Sequence, residues 1–571
     1  MRHFLLLAFI IIALNASSQH DAFSGNTTVT WQDCIQIFSK IDESSDIAQL
    51  TEMGKTDIGK PLHLLVINKE KEFDPKKFNP KKTIIFINNA IHPGEPDGVE
   101  ASINFSREII DPANKLHFLL DSAIICIIPI YNIVGSFIRN GYSRTNQNGP
   151  IEYGFRGNAK NLDLNRDFIK CDSENAKSFT KIFHLVKPHI FIDTHVSNGA
   201  DYQYVMTLIS TQANKLGGSQ AQFLKNQMEP ELFERMAQTG FEMSPYVNHM
   251  GDIPETGIAD FLETPRFASG YTALFQTLGF ITETHMLKPY AQRVEATYYF
   301  FKCMLEYVNE NNSSIVKQKE KAIKEWASIK KYPLNFRLDT LKKEALSFKG
   351  YEAVYESSLV GNGKRLRYDR NKPYVKSIPY LRNYTPEITI DVPKFYIIPQ
   401  AWNEAVDRLK LNEIQLDRIQ KDTTLEVSGY YLYGESTGKK PYEGHYVHSG
   451  VQAREEEKMK ILFFEGDYIV PTNQPGLRYI VETLEPRSVD SFFSWNFFDS
   501  VLQQKEWFSD YVFEEMASQY LNENATLKAE FEDALKNDPE MQEHWAQLYW
   551  IYRHSPHYEE SAFRYPIYFL K

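Results

Sequence analysis

The sequence predicts an α/β fold: a mixed, largely parallel sheet flanked by helices, followed by a β-rich accessory domain and a helical C-terminal region. Three runs carry the first part of that prediction. Thr83-Ile84-Ile85-Phe86-Ile87-Asn88, Ala123 to Ile130 and His189-Ile190-Phe191-Ile192-Asp193 are short, apolar and rich in β-branched residues, as strands buried on both faces of a parallel sheet are. A fourth, Gly279-Phe280-Ile281-Thr282, has the same texture. Open sheets of this kind bind ligands at the carboxyl ends of their strands.

Beyond the first run lies Ala90-Ile91-His92-Pro93-Gly94-Glu95-Pro96. Asp97 and Glu100 follow with the spacing of a helix N-cap and its third-position partner, so the loop runs into a helix. His195 closes the run that begins at His189. Two histidines and one carboxylate are a zinc ligand set that leaves a coordination position open, as catalytic rather than structural sites do. Taken alone, the His-x-x-Glu pair is also compatible with a chance turn.

Two further groups occupy loops and strand ends. Asn165 and Arg166, in Asn161-Leu162-Asp163-Leu164-Asn165-Arg166-Asp167-Phe168, set an amide beside a guanidinium, a pair suited to gripping a carboxylate. Glu283 ends the fourth run, in Thr282-Glu283-Thr284-His285.

In this order along the chain, these residues resemble the zinc metallocarboxypeptidase family of carboxypeptidase A and B type. The early turn Gly54-Lys55-Thr56-Asp57-Ile58-Gly59-Lys60-Pro61-Leu62 joins the resemblance, which spans roughly residues 25 to 315. It implies a metallocarboxypeptidase-like fold, one zinc ion per chain held by His92, Glu95 and His195, and Glu283 as general base. It also implies that Asn165 and Arg166 hold the substrate's terminal carboxylate, the substrate being a peptide or protein C-terminus. An arginine at the oxyanion is expected among Arg139, Arg144 and Arg156. The polar setting of Arg144 favours it, which leaves the other two as solvated loop charges. Tyr271 is the candidate for a tyrosine that closes over the substrate, and Arg266 stands either at the specificity pocket or in a rim salt bridge.

Met1-Arg2-His3, the apolar stretch Phe4 to Leu14 and the small polar residues to Gln19 have the form of a signal peptide over residues 1–19. The stretch is too short to span a bilayer. A secreted or periplasmic protein is therefore expected. The 63 Lys and Arg against 74 Asp and Glu give a net charge of −11, and nothing in the composition suggests nucleic-acid binding. Cys34, Cys126, Cys171 and Cys303 are scattered, so no disulfide framework is expected.

At 571 residues the chain exceeds the roughly 250–300 at which single cores stop growing. A catalytic domain is expected over residues 20–325, ending in the charged stretch from Lys317 to Lys331. A β-rich accessory domain follows over 326–470, with one helix marked by Trp402, Val406 and Leu409. A helical region over 471–571 completes the chain, where Phe508, Val512, Met516 and Tyr520 step by four as a core stripe does. The leading function is a secreted zinc metallocarboxypeptidase. The alternatives are a zinc amidase acting on small N-acyl amino acids or cell-wall peptides, and a zinc- or peptide-binding protein without catalysis.

Overall fold

The structure, a computed structural model, describes residues 25–571, so the expected leader lies outside the described residues. An eight-stranded sheet organises the first half. Its strands are β1 (Ala48–Lys55), β2 (Pro61–Ile67), β3 (Thr83–Asn88), β4 (Ala123–Ile128), β5 (Ile190–Ser197), β6 (Met206–Ser210), β7 (Met243–Pro245) and β9 (Leu278–His285). The short strand β8 (Ile258–Ala259) lies outside it. The order is β1-β2-β4-β3-β5-β9-β6-β7. The central neighbours β4, β3, β5 and β9 are parallel, whereas β2 joins β4 and β6 joins β9 antiparallel.

Alternation along β3 shows why its sequence is apolar throughout. Ile85 and Ile87 enter one core with Ile103, Ile109 and Phe301, from the helices Asp97–Ile110 and Tyr290–Ala327. Ile84 and Phe86 enter the other, with Phe179 and Phe183 of the helix Glu174–Val186. Successive side chains on a strand point to opposite faces, so a sheet covered on both sides has no polar face. Phe179 contacts the rings of Phe86, Phe183, Phe168, Phe191 and Tyr131. Its truncation to alanine should cost about 3–5 kcal/mol.

The second core also contains Tyr396, Leu409, Tyr479 and Trp495. Part of the C-terminal half therefore forms one wall of the eight-stranded sheet's own core. The region expected to be β-rich contains the strands Glu344–Ser357, Tyr384–Asp391 and Thr423–Tyr433, and the helix expected at Trp402 to Leu409 is present as Asn403–Leu411. The hairpin Glu344–Ser357/Lys364–Leu381 pairs back onto β8.

The last residues depart from expectation. Tyr568–Leu570 forms a strand inside a six-stranded sheet, between Phe395–Ile398 and Thr423–Tyr433. In the helix Asp510–Glu523 the buried residues are Phe513 and Ala517, while Val512 and Met516 are exposed. The four-residue stripe thus misplaced the buried face by one position. All four cysteines are buried and unpaired. No helix among the described residues is long and apolar enough to cross a membrane.

Candidate active site

The chain leaves β3 through Ala90, whose φ of 53° lies in the left-handed region rarely adopted by non-glycine residues. Backbone bonds from Tyr131 N–H to Asn89 O and from Asn132 N–H to Ala90 O fix that turn. Glu95 N–H then donates to His92 O at 2.8 Å, closing a tight bend with both side chains at one place. The following helix packs closely on β5. A Cβ added at Gly98 would lie 2.1 Å from Thr194 Oγ1. The expected cap is absent: the helix N-cap is Pro96, while Asp97 pairs with buried Arg293 at 2.9 Å and Glu100 accepts from Val29 N–H.

His92, Glu95 and His195 are buried together, their ligand atoms within 4.8 Å of one another. His92 Nδ1 lies 3.3 Å from Glu95 Oε1, and His195 Nδ1 lies 3.2 Å from Glu95 Oε2. Tetrahedral ligands about 2 Å from a zinc ion are about 3.3 Å apart, so these spacings fit. Behind each imidazole stands a carboxylate: Asp163 Oδ1 is 2.9 Å from His92 Nε2, and Asp193 Oδ2 is 2.9 Å from His195 Nε2. Such partners hold the proton on Nε2 and leave the Nδ1 lone pairs free for a metal.

Two observations test the fit to a cation. His92 Nδ1 is buried without a hydrogen-bond partner, a costly arrangement unless something else ligates it. The Glu95 carboxyl stands between the two imidazoles, Oε1 toward His92 Nδ1 and Oε2 toward His195 Nδ1, so an acidic group and two ring nitrogens face one point. The donor set fits zinc.

Glu283 on β9 is the register partner of His195 on β5. It lines the same cavity of about 330 Å³, whose walls include the three ligand residues, Arg144, Arg156, Asn165, Arg166, Tyr246 and Glu263. Loss of water pushes the Glu283 carboxyl up to about 8, with His195 opposing and Glu95 adding to the rise. Asn165 is fixed by its Oδ1, which accepts from Ala268 N–H at 3.1 Å. The Arg166 guanidinium lies 4.3 Å above the Phe267 ring.

Residues 35–188 match the family model described as zinc carboxypeptidase. Over that stretch the chain is similar to zinc carboxypeptidases. The matched stretch holds His92, Glu95, Asn165 and Arg166; His195 and Glu283 follow it in sequence and meet it in the cavity. Carboxypeptidase 2 of Trichophyton rubrum is 21% identical over 433 residues, covering 73% of this chain and 74% of the relative. That of Trichophyton equinum is 21% identical over 432 residues, with 72% and 74% covered. Among solved structures, the metallo-carboxypeptidase from Burkholderia cenocepacia is 16% identical, with 49% and 70% covered and a TM-score of 0.37. The carboxypeptidase A from Helicoverpa armigera is 12% identical, with 51% and 74% covered and a TM-score of 0.38.

Several expected side chains stand elsewhere in the structure. Tyr271 is fully buried on the helix Ala268–Ala273, among Phe168, Phe183 and Phe275, and its hydroxyl donates to Asn412 Oδ1 at 2.7 Å. It is a core residue and does not reach the cavity; the cavity tyrosine is Tyr246. Arg266 is also absent from the walls, bound to Asp490 at 2.6 Å. Arg139 donates to the carbonyls of Val29 and Thr28. Arg156, expected as a solvated charge, instead lines the cavity, with Nε 2.9 Å from Asp163 Oδ2 and Nη1 3.3 Å from Glu95 Oε1.

Some of the missed residues had a signal. Asp193 precedes His195 by two on a strand, so both must share a face. Asp163 lies two residues before Asn165. Nothing local marks Tyr246 or separates Arg156 from its neighbours.

Proposed function

We propose that this carboxypeptidase hydrolyses the last peptide bond of peptides and protein C-termini, using one zinc ion per chain. The observation that carries this reading is the convergence of His92, Glu95 and His195 with Asn165, Arg166 and Glu283 on one cavity. Zinc supplies a Lewis acid that polarises the scissile carbonyl and acidifies water. Asn165 and Arg166 bind the free terminal carboxylate, which places the last peptide bond beside Glu283. A cation held by His92, Glu95 and His195 would offset the burial that raises Glu283, so that its carboxylate takes a proton from the attacking water and delivers it to the leaving amine.

Arg144 and Arg156 both border the site, with different commitments. Arg144 donates through Nε to Gln147, through Nη1 to Glu95 and through Nη2 to Val196 O. It is best suited to holding Glu95. Arg156 is partly exposed toward the cavity, so the oxyanion role expected of Arg144 falls to Arg156 in this reading.

Glu263 supplies a side-chain preference. It is 5% exposed, accepts from Ser269 N–H at 2.9 Å and shares the cavity wall with Ile209 and Phe261. A carboxylate in such a wall favours a basic terminal residue. The leader over residues 1–19 supports export. The test is Glu283→Gln, which should retain zinc and lose turnover; unchanged turnover would refute the mechanism.

A further inference from the structure

The loop that carries Asp163, Asn165 and Arg166 is held from outside the first half of the chain. Tyr442-Glu443-Gly444-His445 forms a tight turn in the C-terminal half, with reciprocal backbone bonds between Tyr442 and His445 of 2.8 and 3.1 Å. Its central residues Glu443 and Gly444 have φ of 51° and 86°, the left-handed pair of a type I′ turn. Glycine adopts that conformation freely, but glutamate does so at a cost, and such strain persists where its surroundings enforce it.

The strained residue has a specific contact. Glu443 Oε2 accepts from the backbone N–H of Asp163 at 2.7 Å. The Asp163 carboxylate in turn aims His92, caps Asn165 N–H at 2.9 Å and receives Arg156 Nε. Beside it, the Tyr442 hydroxyl accepts from Arg166 Nε at 3.0 Å. Tyr442 itself stacks on the buried Trp495, 6.3 Å between centroids, and Arg266 packs against both rings. Asp490 fixes Arg266.

We propose that the Tyr442–Glu443 turn is a positioning element of the active site, by which the C-terminal half sets the carboxylate-binding arginine and the support of a metal ligand. Tyr442 fixes the guanidinium plane of Arg166, so that the edge presented to a substrate carboxylate is constant. Glu443 holds the Asp163 backbone, and through it the orientation of His92. Neither residue touches the scissile bond. The inference rests on the reading of Arg166 as the carboxylate anchor.

The test uses the full-length zinc enzyme and an unblocked peptide, with kcat and KM measured separately. Tyr442→Phe keeps the ring stack and removes only the hydroxyl. It should raise KM about 10-fold, the loss of one hydrogen bond to a charged group, with kcat within about 2-fold. In an Arg166→Ala background the same substitution should change nothing further. A wild-type KM in Tyr442→Phe, or an equal rise in both backgrounds, overturns the proposal. Arg166→Ala with unchanged KM would instead sink the carboxylate reading, so the two failures are distinguishable. For Glu443, zinc competition against a chelator is the readout. Glu443→Ala should weaken zinc retention about 10-fold, the lower end of losses seen when a ligand's support is removed, and Glu443→Gln, which keeps an acceptor, should restore it. Equal retention in Glu443→Ala and wild type overturns this half.

Discussion

Glu283 and His195 are direct partners in the parallel pairing of β9 with β5, so a proposed base and a proposed metal ligand are spaced by the sheet itself, at about 4.8 Å between strands. The spacing does not depend on either side chain. Glu283→Gln should therefore lower kcat by about 10²–10⁴-fold while zinc content per chain stays at the wild-type value. Metal analysis alongside turnover checks this, and loss of zinc in that variant would show that Glu283 serves the ligand sphere.

Arg144 and Arg156, which both border the metal site, should separate by kinetics. Arg156→Ala should reduce kcat by about 10²–10³-fold, as removal of an oxyanion donor does. Arg144→Ala should act mainly on zinc affinity, because its guanidinium is committed to Glu95, Gln147 and Val196 O. The reverse pattern would return the oxyanion role to Arg144.

Terminal-residue preference should follow Glu263. Peptides ending in lysine or arginine should be cleaved faster than those ending in leucine, and Glu263→Gln should narrow the ratio of kcat/KM by roughly 10–100-fold, the worth of a hydrogen bond to a charged group. Paired peptides differing only at the last residue provide the measurement, and an unchanged ratio would place the side-chain pocket elsewhere.

Stability should fall in acid through His184 and His285. Burial lowers each imidazole to about 4, against about 6.5 in the unfolded chain. His285 is held neutral by geometry: its Nε2 bonds Ala200 O at 3.0 Å while Nδ1 accepts from Leu287 N–H. Between pH 6.5 and 4 the unfolded chain binds protons that the folded one does not. The contribution is therefore complete above pH 6.5 and is lost on acidification, by about 1.4 kcal/mol per pH unit for each histidine. Urea midpoints at pH 7 and 5 should differ less in His285→Gln than in wild type; equal differences would count against this assignment.

Fold and site were legible to different depths. The central strands could be read because they are buried on both faces, which forces continuous apolar runs such as Thr83–Asn88. The candidate metal ligands, Asn165, Arg166 and Glu283 lie on one cavity, a convergence legible in the sequence because strand ends and their loops concentrate ligand chemistry. Tyr271 was misread because an aromatic residue in a loop-rich stretch carries no mark of whether it faces a cavity or a core. The Tyr442–Glu443 turn could not be found, since 276 residues separate Tyr442 from Arg166 and only the packing of the C-terminal half brings them together. Tyr568–Leu570 is likewise a strand because a sheet receives it, its three residues being too short for a periodic signal.

Product masses from matched peptides, one set with a free C-terminal carboxylate and one amidated, reveal whether the protein reads a terminal carboxylate. Stepwise loss of single C-terminal residues is expected from the free set alone, abolished in Glu283→Gln. Cleavage of both sets at similar rates, or of internal bonds, would contradict it, because neither outcome needs Asn165 and Arg166 to hold a terminal carboxylate.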